Sequence, residues 1–386
     1  MDELFLPELL MKEPTFKIGI EEEYQIIDPK SLDLKSYITQ ILEQGQLIFG
    51  EGLKPELHQS MLEIVTPVCN DITEARSQLT RLRREIIQLA STNNLSIIAA
   101  GSHPFSTWHT QKITPFERYL GVQKDMQVLA EQLLIFGTHI HIGIEDRDFM
   151  IEAMNVMRAF LPLLLCLSTS SPFWLGRDTG LKSYRSIIFR SLPRTGIPRA
   201  LRSWGEYKYI VEGLVKVKCI PDGTKIWWDI RPNWNYPTLE IRICDAPTYI
   251  DTTLCIAAIV QALIYKLWKM RHEATGFRVY PTTLIDENKW RAVRYGLEGN
   301  LIDLGKMEER PAREMVCELI EKHIDDVLDE LGSRKEVEFA YKILKEGSSA
   351  DRQIETYKKT GDFKTVVDQL INETAKGTEL EKILKT

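Results

Sequence analysis

Acidic side chains interrupt an apolar, strand-like stretch at residues 16 to 28, FKIGIEEEYQIID. If this stretch is a strand, alternate side chains share a face, so Glu21 and Glu23 lie together and Glu22 lies on the opposite face. Two residues of strand separate the pair by roughly 7 Å, a distance at which carboxylates repel and bound cations stabilise them. The pattern predicts a ligand site, and the alternative is an edge strand whose charges prevent aggregation.

Two later stretches also place a glutamate among apolar residues. Glu63 lies in MLEIV, residues 61 to 65, and Glu240 alternates with apolar residues in TLEIRICD. Glu56 lies seven residues before Glu63. Residues an odd number apart point to opposite faces of one strand, so the two glutamates share a face only if a bulge or a turn intervenes. The chain therefore offers acids from at least three extended segments.

A short turn punctuated by proline, RPNWNYP, connects the segments IWWDIRPN and TLEIRICD, which together predict an antiparallel hairpin. Period-2 alternation then places Asp229, Arg231, Glu240 and Arg242 on one polar face. That face is either part of a functional site or a ladder of salt bridges between the strands.

A long irregular segment, residues 167 to 201, combines glycines and prolines with many cationic side chains. Its aromatic and aliphatic residues predict that it is ordered. Ordered arginines facing acidic strands fit the binding of phosphate or carboxylate better than they fit a solvated surface. The cations are Arg177, Lys182, Arg185, Arg190, Arg194 and Arg199.

Histidines alternate with isoleucines in GTHIHIGI, residues 137 to 144, so His139 and His141 share a strand face. The remaining polar set is carboxylate and arginine, which favours hard Mg²⁺ over zinc. We interpret these histidines as neutral hydrogen-bond partners of substrate or phosphate oxygens, and histidines satisfied inside a sheet are the alternative. His103 and His109, in the loop SHPFSTWHT, are either ligand contacts or structural.

Sequence periodicity predicts the elements that hold these residues. Asp71 and Glu74 predict a capped helix over residues 71 to 90, and an apolar helix over 250 to 272 is expected to pack behind the sheet. Residues 30 to 52 read as loop with short extended pieces. Further helices are predicted at 116–134, 148–167, 199–213, 287–296, 311–331, 334–346, 350–359 and 362–374, and strands at 95–101 and 215–220.

Composition limits the class of protein. A net charge of −6 over 386 residues argues against a nucleic-acid partner, and no uninterrupted apolar run is long enough to span a bilayer. The acidic residues 1 to 14 do not resemble a secretory signal, so we expect a cytoplasmic protein without a membrane partner. Six cysteines without a CxxC spacing predict buried free thiols.

Acids on several strands, together with arginines from a loop and a hairpin, are what phosphoryl transfer from ATP requires, because carboxylates hold Mg²⁺ and arginines clamp phosphoryl oxygens. The sequence contains no Walker motif, GxGxxG, kinase signature set or GxSxG. Any nucleotide would therefore bind on a sheet surface. A glycoside hydrolase also uses two carboxylates, but it does not need this many arginines.

Eight stretches in order from residue 19 to residue 296 resemble the type 2 glutamate-cysteine ligases, and within them the YbdK-type carboxylate-amine ligases. The stretches are GIEEEYQIIDP, MLEIVTPVC, GTHIHIGI, SPFWLGRDTG, SYRSIIFRSLPRTG, IWWDIRP, TLEIRICDAPT and NKWRAVRYG. The resemblance implies an α+β fold of the glutamine synthetase and guanidino kinase catalytic type, with a curved, mainly antiparallel sheet and flanking helices. We expect a catalytic domain over residues 1–300 and a helical segment, residues 301–386, packed on it.

The resemblance also implies an activity. Members use ATP and Mg²⁺ to phosphorylate the γ-carboxylate of glutamate, and an amine, cysteine in the best-known case, displaces the phosphate to form an amide. The acid and amine used by this chain stay open, as does a homodimeric state. A guanidino kinase on the same fold and a non-catalytic nucleotide-binding relative are the alternatives.

Site residues follow from the resemblance by matching motifs. The implied Mg²⁺ ligands are Glu21, Glu23, Glu63 and Glu240, with Glu56 as a further ligand. The implied catalytic residues are Arg185 and Arg242, which contact ATP phosphates or the transferring group, and His139, which contacts phosphate or substrate. Arg177, Arg194 and Arg231 complete the expected cofactor-binding set.

Overall fold

Helices surround a main antiparallel sheet in the computed structural model, which describes residues 13–380 and also contains three two-stranded sheets. The strands are β1 (Ile18–Ile27), β2 (Leu53–Pro55), β3 (Met61–Val65), β4 (Ser96–Ile98), β5 (Thr138–Gly143), β6 (Phe173–Trp174), β7 (Arg177–Asp178), β8 (Thr195–Gly196), β9 (Trp227–Trp228), β10 (Ile230–Pro232), β11 (Thr238–Ile241), β12 (Asn300–Asp303) and β13 (Glu308–Pro311). The interpretation of residues 1 to 14 falls mostly on residues 1 to 12, which lie outside the described residues.

The helices lie in connections between the strands and form most of the described chain after β13. They are α1 (Ile38–Phe49), α2 (Ile72–Thr92), α3 (Glu117–Met126), α4 (Val128–Glu131), α5 (Arg147–Met157), α6 (Leu161–Ser168), α7 (Tyr184–Arg190), α8 (Trp204–Lys216), α9 (Ile250–His272), α10 (Thr282–Tyr295), α11 (Ala312–Glu318), α12 (Asp325–Leu328), α13 (Arg334–Glu346), α14 (Ser349–Thr360) and α15 (Phe363–Ala375). A π-helical segment, Leu319–Ile324, joins α11 to α12.

The main sheet has seven strands in the order β10-β11-β5-β1-β3-β2, and β4 also pairs with β1. The acidic strand β1 therefore lies inside the sheet, which excludes the edge-strand alternative. Every pairing in this sheet is antiparallel, as expected for the predicted α+β class. The register places Glu21 opposite His139, Glu23 opposite Glu63, His141 opposite Glu240, and Arg231 opposite Glu240.

The face of the sheet opposite to Glu21 and Glu23 is mainly apolar and covered by helices. Ile18, Ile20 and Ile140 are fully buried there, and α9 packs against β1 and β5. The sequence contains no uninterrupted apolar run long enough to span a membrane, but α9 as a whole is long and apolar enough to do so. However, 83% of its most apolar window is buried inside the protein. Another candidate span is the pair α5 and α6, which is bent by 66°. The apolar composition of α9 is thus explained by its place in the core, as predicted.

The middle acid of β1, Glu22, is buried on the helix side of the sheet. Arg83 of α2 donates to both of its oxygens, at 2.6 Å and 3.2 Å, and the Thr253 hydroxyl donates to Oε1 at 2.6 Å. The Tyr24 hydroxyl also donates to Glu22. A buried carboxylate is tolerated only when a charge and hydrogen bonds replace its hydration, and this network supplies both.

Most predicted helices are confirmed, including α2. The Asp71 carboxylate accepts the backbone N–H of Glu74 at 2.8 Å, and the Glu74 carboxylate accepts the N–H of Asn70. The C-terminal helices α13, α14 and α15 match their predicted positions. α13 packs on α9, and α15 packs on β4 and α14.

Four local predictions are wrong. The region predicted as loop contains α1, whose buried Ile38, Ile41 and Phe49 pack into the main core. The strand predicted at 215–220 is the end of α8 and a turn. The helix predicted over 116–134 breaks at Gln127, which has a φ of 53°. The helix predicted over 148–167 breaks before Pro162, which has no N–H to continue the helical ladder.

All six cysteines are free thiols. Cys69, Cys166, Cys244 and Cys255 are buried, as predicted, and Cys317 is partly buried. The prediction is wrong for Cys219, which is exposed beyond the end of α8.

The two loop histidines have different environments. His109 is exposed and stacks on Trp108. His103 is buried, where its Nε2 bonds to the carbonyl of Leu32 at 3.1 Å and its Nδ1 accepts the N–H of Ser106 at 2.9 Å. Both ring nitrogens are therefore used by a neutral imidazole, and burial lowers the pKa of His103 to about 4. His103 is a structural residue.

We expect His103 to make the free energy of unfolding fall as the pH falls from 6.5 to about 4. The unfolded chain takes up a proton near pH 6.5 and the folded chain only near pH 4, so protons favour unfolding in this window by up to about 3 kcal/mol. The slope of the free energy of unfolding against pH gives the number of protons taken up on unfolding. Measured by urea unfolding, this number should be smaller by about one in His103→Gln than in the wild type. An unchanged His103→Gln profile would contradict the assignment.

Candidate active site

A cavity of about 520 Å³ lies over the polar face of the sheet. Strands β1, β3, β5 and β11 supply its floor, and residues from α3, α7 and the segment around Trp227 form its walls. The charged and histidine side chains that line it are Glu21, Glu23, Lys54, Glu56, Glu63, Arg118, His139, His141, Arg185, Lys225, Arg231, Glu240 and Arg242. Acids from separate parts of the chain thus meet in one place.

The floor contains two sets of ligand atoms suited to a metal ion. Glu21, His139 and Glu240 form one set, and Glu23, Glu63 and His139 form the other; within each set the atoms all lie within 4.8 Å of one another. The carboxylates suit a hard cation such as Mg²⁺. His139 belongs to both sets. The sequence predicted only that His139 contacts phosphate or substrate, and did not predict that it lies next to the proposed metal ligands.

Acids on the β3 side of the cavity lie in an environment that disfavours their ionised form, because burial and neighbouring carboxylates outweigh one lysine. Burial, with the charges of Glu21 and Glu56, raises the pKa of Glu63 well above its usual range. Burial and the charge of Glu23 raise the pKa of Glu56 to about 7. The Lys54 ammonium is 3.7 Å from the Glu63 carboxylate. A divalent cation would relieve this repulsion.

Acids on the β11 side have the opposite environment. Burial would raise the pKa of Glu240, but the Arg242 and Arg231 guanidinium groups hold it far below its usual range. Arg231 donates to both Glu240 oxygens, at 2.9 Å and 3.1 Å, and Arg242 also donates to Oε1. Despite burial, His141 and His139 likewise keep the pKa of Glu21 well below its usual range. Both carboxylates are therefore ionised at neutral pH.

The placement of Asp229 on this polar face is wrong. The chain bends at Asp229, between β9 and β10, and β9 pairs in parallel with β8 instead of extending the hairpin. The alternation of side chains is lost at that bend. Asp229 is buried and accepts a hydrogen bond from Lys289 of α10 at 2.6 Å, so it forms a structural ion pair outside the cavity.

The long cationic loop is ordered, as predicted, but it sends only part of its charge into the cavity. α7 begins at Tyr184, and its first turn directs Arg185 inward. Arg177 is exposed on β7, and Arg194 donates to the carbonyl of Lys225 at 2.9 Å; neither lines the cavity. The remaining cations pair on other parts of the surface, Lys182 with Asp351, Arg190 with Asp286, and Arg199 with Glu206.

Glu56 reaches the cavity because β2 and β3 form an antiparallel pair. A turn separates Glu56 from β3, so the alternation of side chains along one strand does not apply to the pair, and both Glu56 and Glu63 face the cavity. The sequence reasoning missed Lys54, although the same pairing places it opposite Glu63. It also missed Arg118 and Tyr119 of α3, because helical periodicity does not reveal which cavity a helix end approaches.

Comparison with known proteins defines the family. Residues 17–369 match the model of glutamate-cysteine ligase family 2. The chain belongs to this family. Relatives named "Putative glutamate--cysteine ligase 2" are 54% identical, over 367 residues in Herpetosiphon aurantiacus (95% of each chain) and over 362 residues in a Roseiflexus species (94% of this chain and 95% of that one). The predicted enzyme class, a ligase forming C–N bonds, is confirmed by this membership.

Solved structures support the fold. A glutamate-cysteine ligase from Francisella tularensis in complex with AMP has a TM-score of 0.68 at 13% identity, with 97% of this chain and 95% of that chain covered. A bifunctional glutathione synthetase from Pasteurella multocida also has a TM-score of 0.68 at 13% identity, with 95% of this chain and 53% of that chain covered. The mixed α/β architecture with an antiparallel sheet is shared with both.

We predict that Glu63→Gln stabilises the metal-free protein and weakens its response to Mg²⁺. The substitution removes a buried carboxylate repelled by Glu21 and Glu56, so unfolding in EDTA should cost about 1 kcal/mol more. Adding MgCl₂ should raise the melting temperature of the wild type but raise that of the variant much less. Thermal unfolding with and without Mg²⁺ measures both effects.

The matched control is Glu51→Gln, which makes the same charge change at an exposed turn residue. It should leave the Mg²⁺ response intact. A Glu63→Gln variant that is less stable in EDTA, or that responds to Mg²⁺ like the wild type, would show that Glu63 does not contribute to a cation site.

Proposed function

We propose that the protein is an ATP-dependent carboxylate-amine ligase that forms an amide of the γ-glutamyl-cysteine type through an acyl phosphate. The observation that carries this proposal is the meeting of five glutamates and four arginines in one cavity. Membership of glutamate-cysteine ligase family 2 supports it. Glutamate and cysteine are the substrates to test first.

Charge is the main obstacle to the first chemical step. A substrate carboxylate must approach the γ-phosphate of ATP, and both are negative. We assign Mg²⁺ to Glu21, Glu23, Glu56, Glu63 and Glu240, with His139 next to them. When bound, Mg²⁺ would neutralise phosphate charge and align the phosphoryl group for transfer.

Arginines of the chain would hold the phosphoryl group from the other side. Arg185 and Arg242 each keep a buried Nε without a hydrogen-bond partner in the described part of the chain. An unused buried donor is costly, and a phosphoryl oxygen would satisfy it. Arg231 orients Glu240 and adds positive charge. We therefore assign Arg185 and Arg242 to the transferring group and Arg231 to its support.

The cavity also has to keep water from an acyl phosphate. Aromatic and aliphatic side chains line its walls, including Tyr119, Leu133, Ile135 and Phe189. The incoming amine would then attack the acyl carbon, and phosphate would leave. This sequence needs no nucleophilic side chain, and none of the six cysteines lines the cavity.

We further propose that the sheet is the curved catalytic sheet of the glutamine synthetase and guanidino kinase type, within a catalytic domain over residues 1–300. The segment 301–386 would support it, since α13 packs on α9 and α15 on β4. A cytoplasmic location and a homodimeric state belong to the same proposal.

Product analysis tests the reaction. We expect ADP and free phosphate to appear together only when ATP, Mg²⁺, an amino acid and an amine are all present. Hydroxylamine in place of the amine should trap the activated acid as a hydroxamate. Glu21→Gln should lower turnover by roughly 10²-fold or more while circular dichroism stays unchanged, because it removes charge from the cation site.

Other outcomes distinguish the alternatives. Phosphate found on the amine would indicate a guanidino kinase, and calorimetry without Mg²⁺-dependent ATP binding would indicate a non-catalytic relative. Glu51→Gln serves again as the control for a lost surface charge and should retain wild-type turnover.

A further inference from the structure

The position of Arg185 depends on the backbone that carries it. Its side chain is only 4% exposed, and its Nη atoms donate to the carbonyl oxygens of Ile243 and Arg242, each at 3.3 Å. No carboxylate in the described residues forms an ion pair with it at 4.0 Å or less. These long hydrogen bonds hold the guanidinium weakly, so the first turn of α7 must be fixed by other groups.

A buried carboxylate close to this turn collects several hydrogen bonds. Asp245 is fully buried and follows the end of β11. Its Oδ2 accepts the backbone N–H of Ser170 at 2.9 Å and the hydroxyl of Ser171 at 2.7 Å, and its Oδ1 accepts the hydroxyl of Ser183 at 2.7 Å. All three partners are donors, so Asp245 acts only as an acceptor here.

The same serines determine how α7 begins. Ser183 is the residue before α7, and its hydroxyl bonds to Asp245 instead of capping a helix N–H. The N–H of Arg185 is accepted by the Ser171 hydroxyl at 3.0 Å. A distant serine held by Asp245 thus does the work of a local cap. Arg185 is connected to Asp245 through one intervening hydroxyl group.

Close packing leaves this arrangement little room to shift. A Cβ added at Gly101 would lie 2.8 Å from the Asp245 Cγ, and one added at Gly137 would overlap the Arg185 guanidinium. Gly137 also donates its N–H to the Glu23 carboxylate at 2.5 Å, which links this wall to the acidic strand. Both ends of the connection are therefore confined by backbone.

We propose that Asp245 is a positioning residue that holds Ser171 and Ser183, fixes the first turn of α7, and so directs the Arg185 guanidinium into the cavity. The proposal rests on the proposed function in one respect, that Arg185 contacts a phosphoryl group of ATP. Asp245 itself does not touch the ligand, because it does not line the cavity.

A double-mutant cycle tests this connection. Calorimetry with ATP and Mg²⁺ measures the affinity of the wild type, Asp245→Ala, Arg185→Ala and the double variant. We expect Asp245→Ala to weaken ATP binding about tenfold, the order seen when groups that orient a site residue are removed. In the Arg185→Ala background the same change should have no further effect, because the arginine that it positions is gone. Equal losses in both backgrounds would overturn the proposal.

Milder variants keep the test decisive if Asp245→Ala does not fold. Asp245→Asn keeps an acceptor for Ser171, and Ser183→Ala removes one contact of the network. Each variant should weaken ATP binding by a few-fold. This effect should be seen only when Arg185 is present. Retained wild-type affinity in both would overturn the proposal.

A control separates positioning from a general loss of stability. Ser348→Ala removes a buried capping hydroxyl of α14 outside the cavity and should lower the melting temperature of the protein. It should leave ATP affinity unchanged, and a loss equal to that of Asp245→Ala would overturn the proposal. Failure of the wild type to bind ATP with Mg²⁺ would overturn the proposed function as well, whereas wild-type binding with an unaffected Asp245→Ala overturns only the role of Asp245.

Discussion

The fold depends on placing three consecutive carboxylates in an interior strand. Strand alternation separates them, so Glu22 enters the helix-covered side and Glu21 and Glu23 enter the cavity. Arg83, Tyr24 and Thr253 satisfy Glu22 within the core. That buried ion pair ties β1 to α2 and leaves the other two acids free to face a ligand. Removing Arg83 alone would leave an uncompensated buried charge.

The cavity divides its charge between two sides. Near β3 the acids Glu56 and Glu63 have raised pKa values, since burial and mutual repulsion outweigh the nearby Lys54. Near β11 Glu240 is clamped by two arginines and stays ionised. A site of this kind attracts cations on one side and offers guanidinium groups on the other. A phosphoryl group carrying Mg²⁺ has the charge pattern to match both sides.

Two arginines of this cavity, Arg185 and Arg231, donate hydrogen bonds to backbone carbonyl groups. Arg185 uses carbonyl oxygens of the segment after β11 and relies on α7 for its direction. Arg231 also donates to the carbonyl of Thr224 at 2.9 Å. Carbonyl oxygens orient the Arg185 guanidinium without neutralising it, so its positive charge stays available to a ligand, whereas Arg231 is also paired with the Glu240 carboxylate. The serines around Asp245 extend this support beyond the cavity wall.

Short-range patterns in the sequence predicted a large part of the site. Period-2 alternation correctly put Glu21 with Glu23 and His139 with His141, and helical periodicity located α2, α9 and the C-terminal helices. These features depend on neighbouring residues along one element, which the sequence states directly. The same local reasoning failed where an element bends, as at Asp229 and Pro162, because a single bend changes the parity or the helix direction.

Long-range contacts had to be decided by the tertiary structure. Arg185 reaches the cavity because of where α7 begins, and the serines that fix this start are bound to Asp245, which is 60 residues after Arg185 in the chain. Arg177 of the same loop stays exposed on β7. The approach of Arg118 and the joining of Glu56 to Glu63 likewise depend on how separate segments pack. By itself the sequence determined which side chains are suited to bind a ligand and how they alternate along each strand. Only packing decided which of them meet, because distances between segments are set by the whole core and not by local spacing.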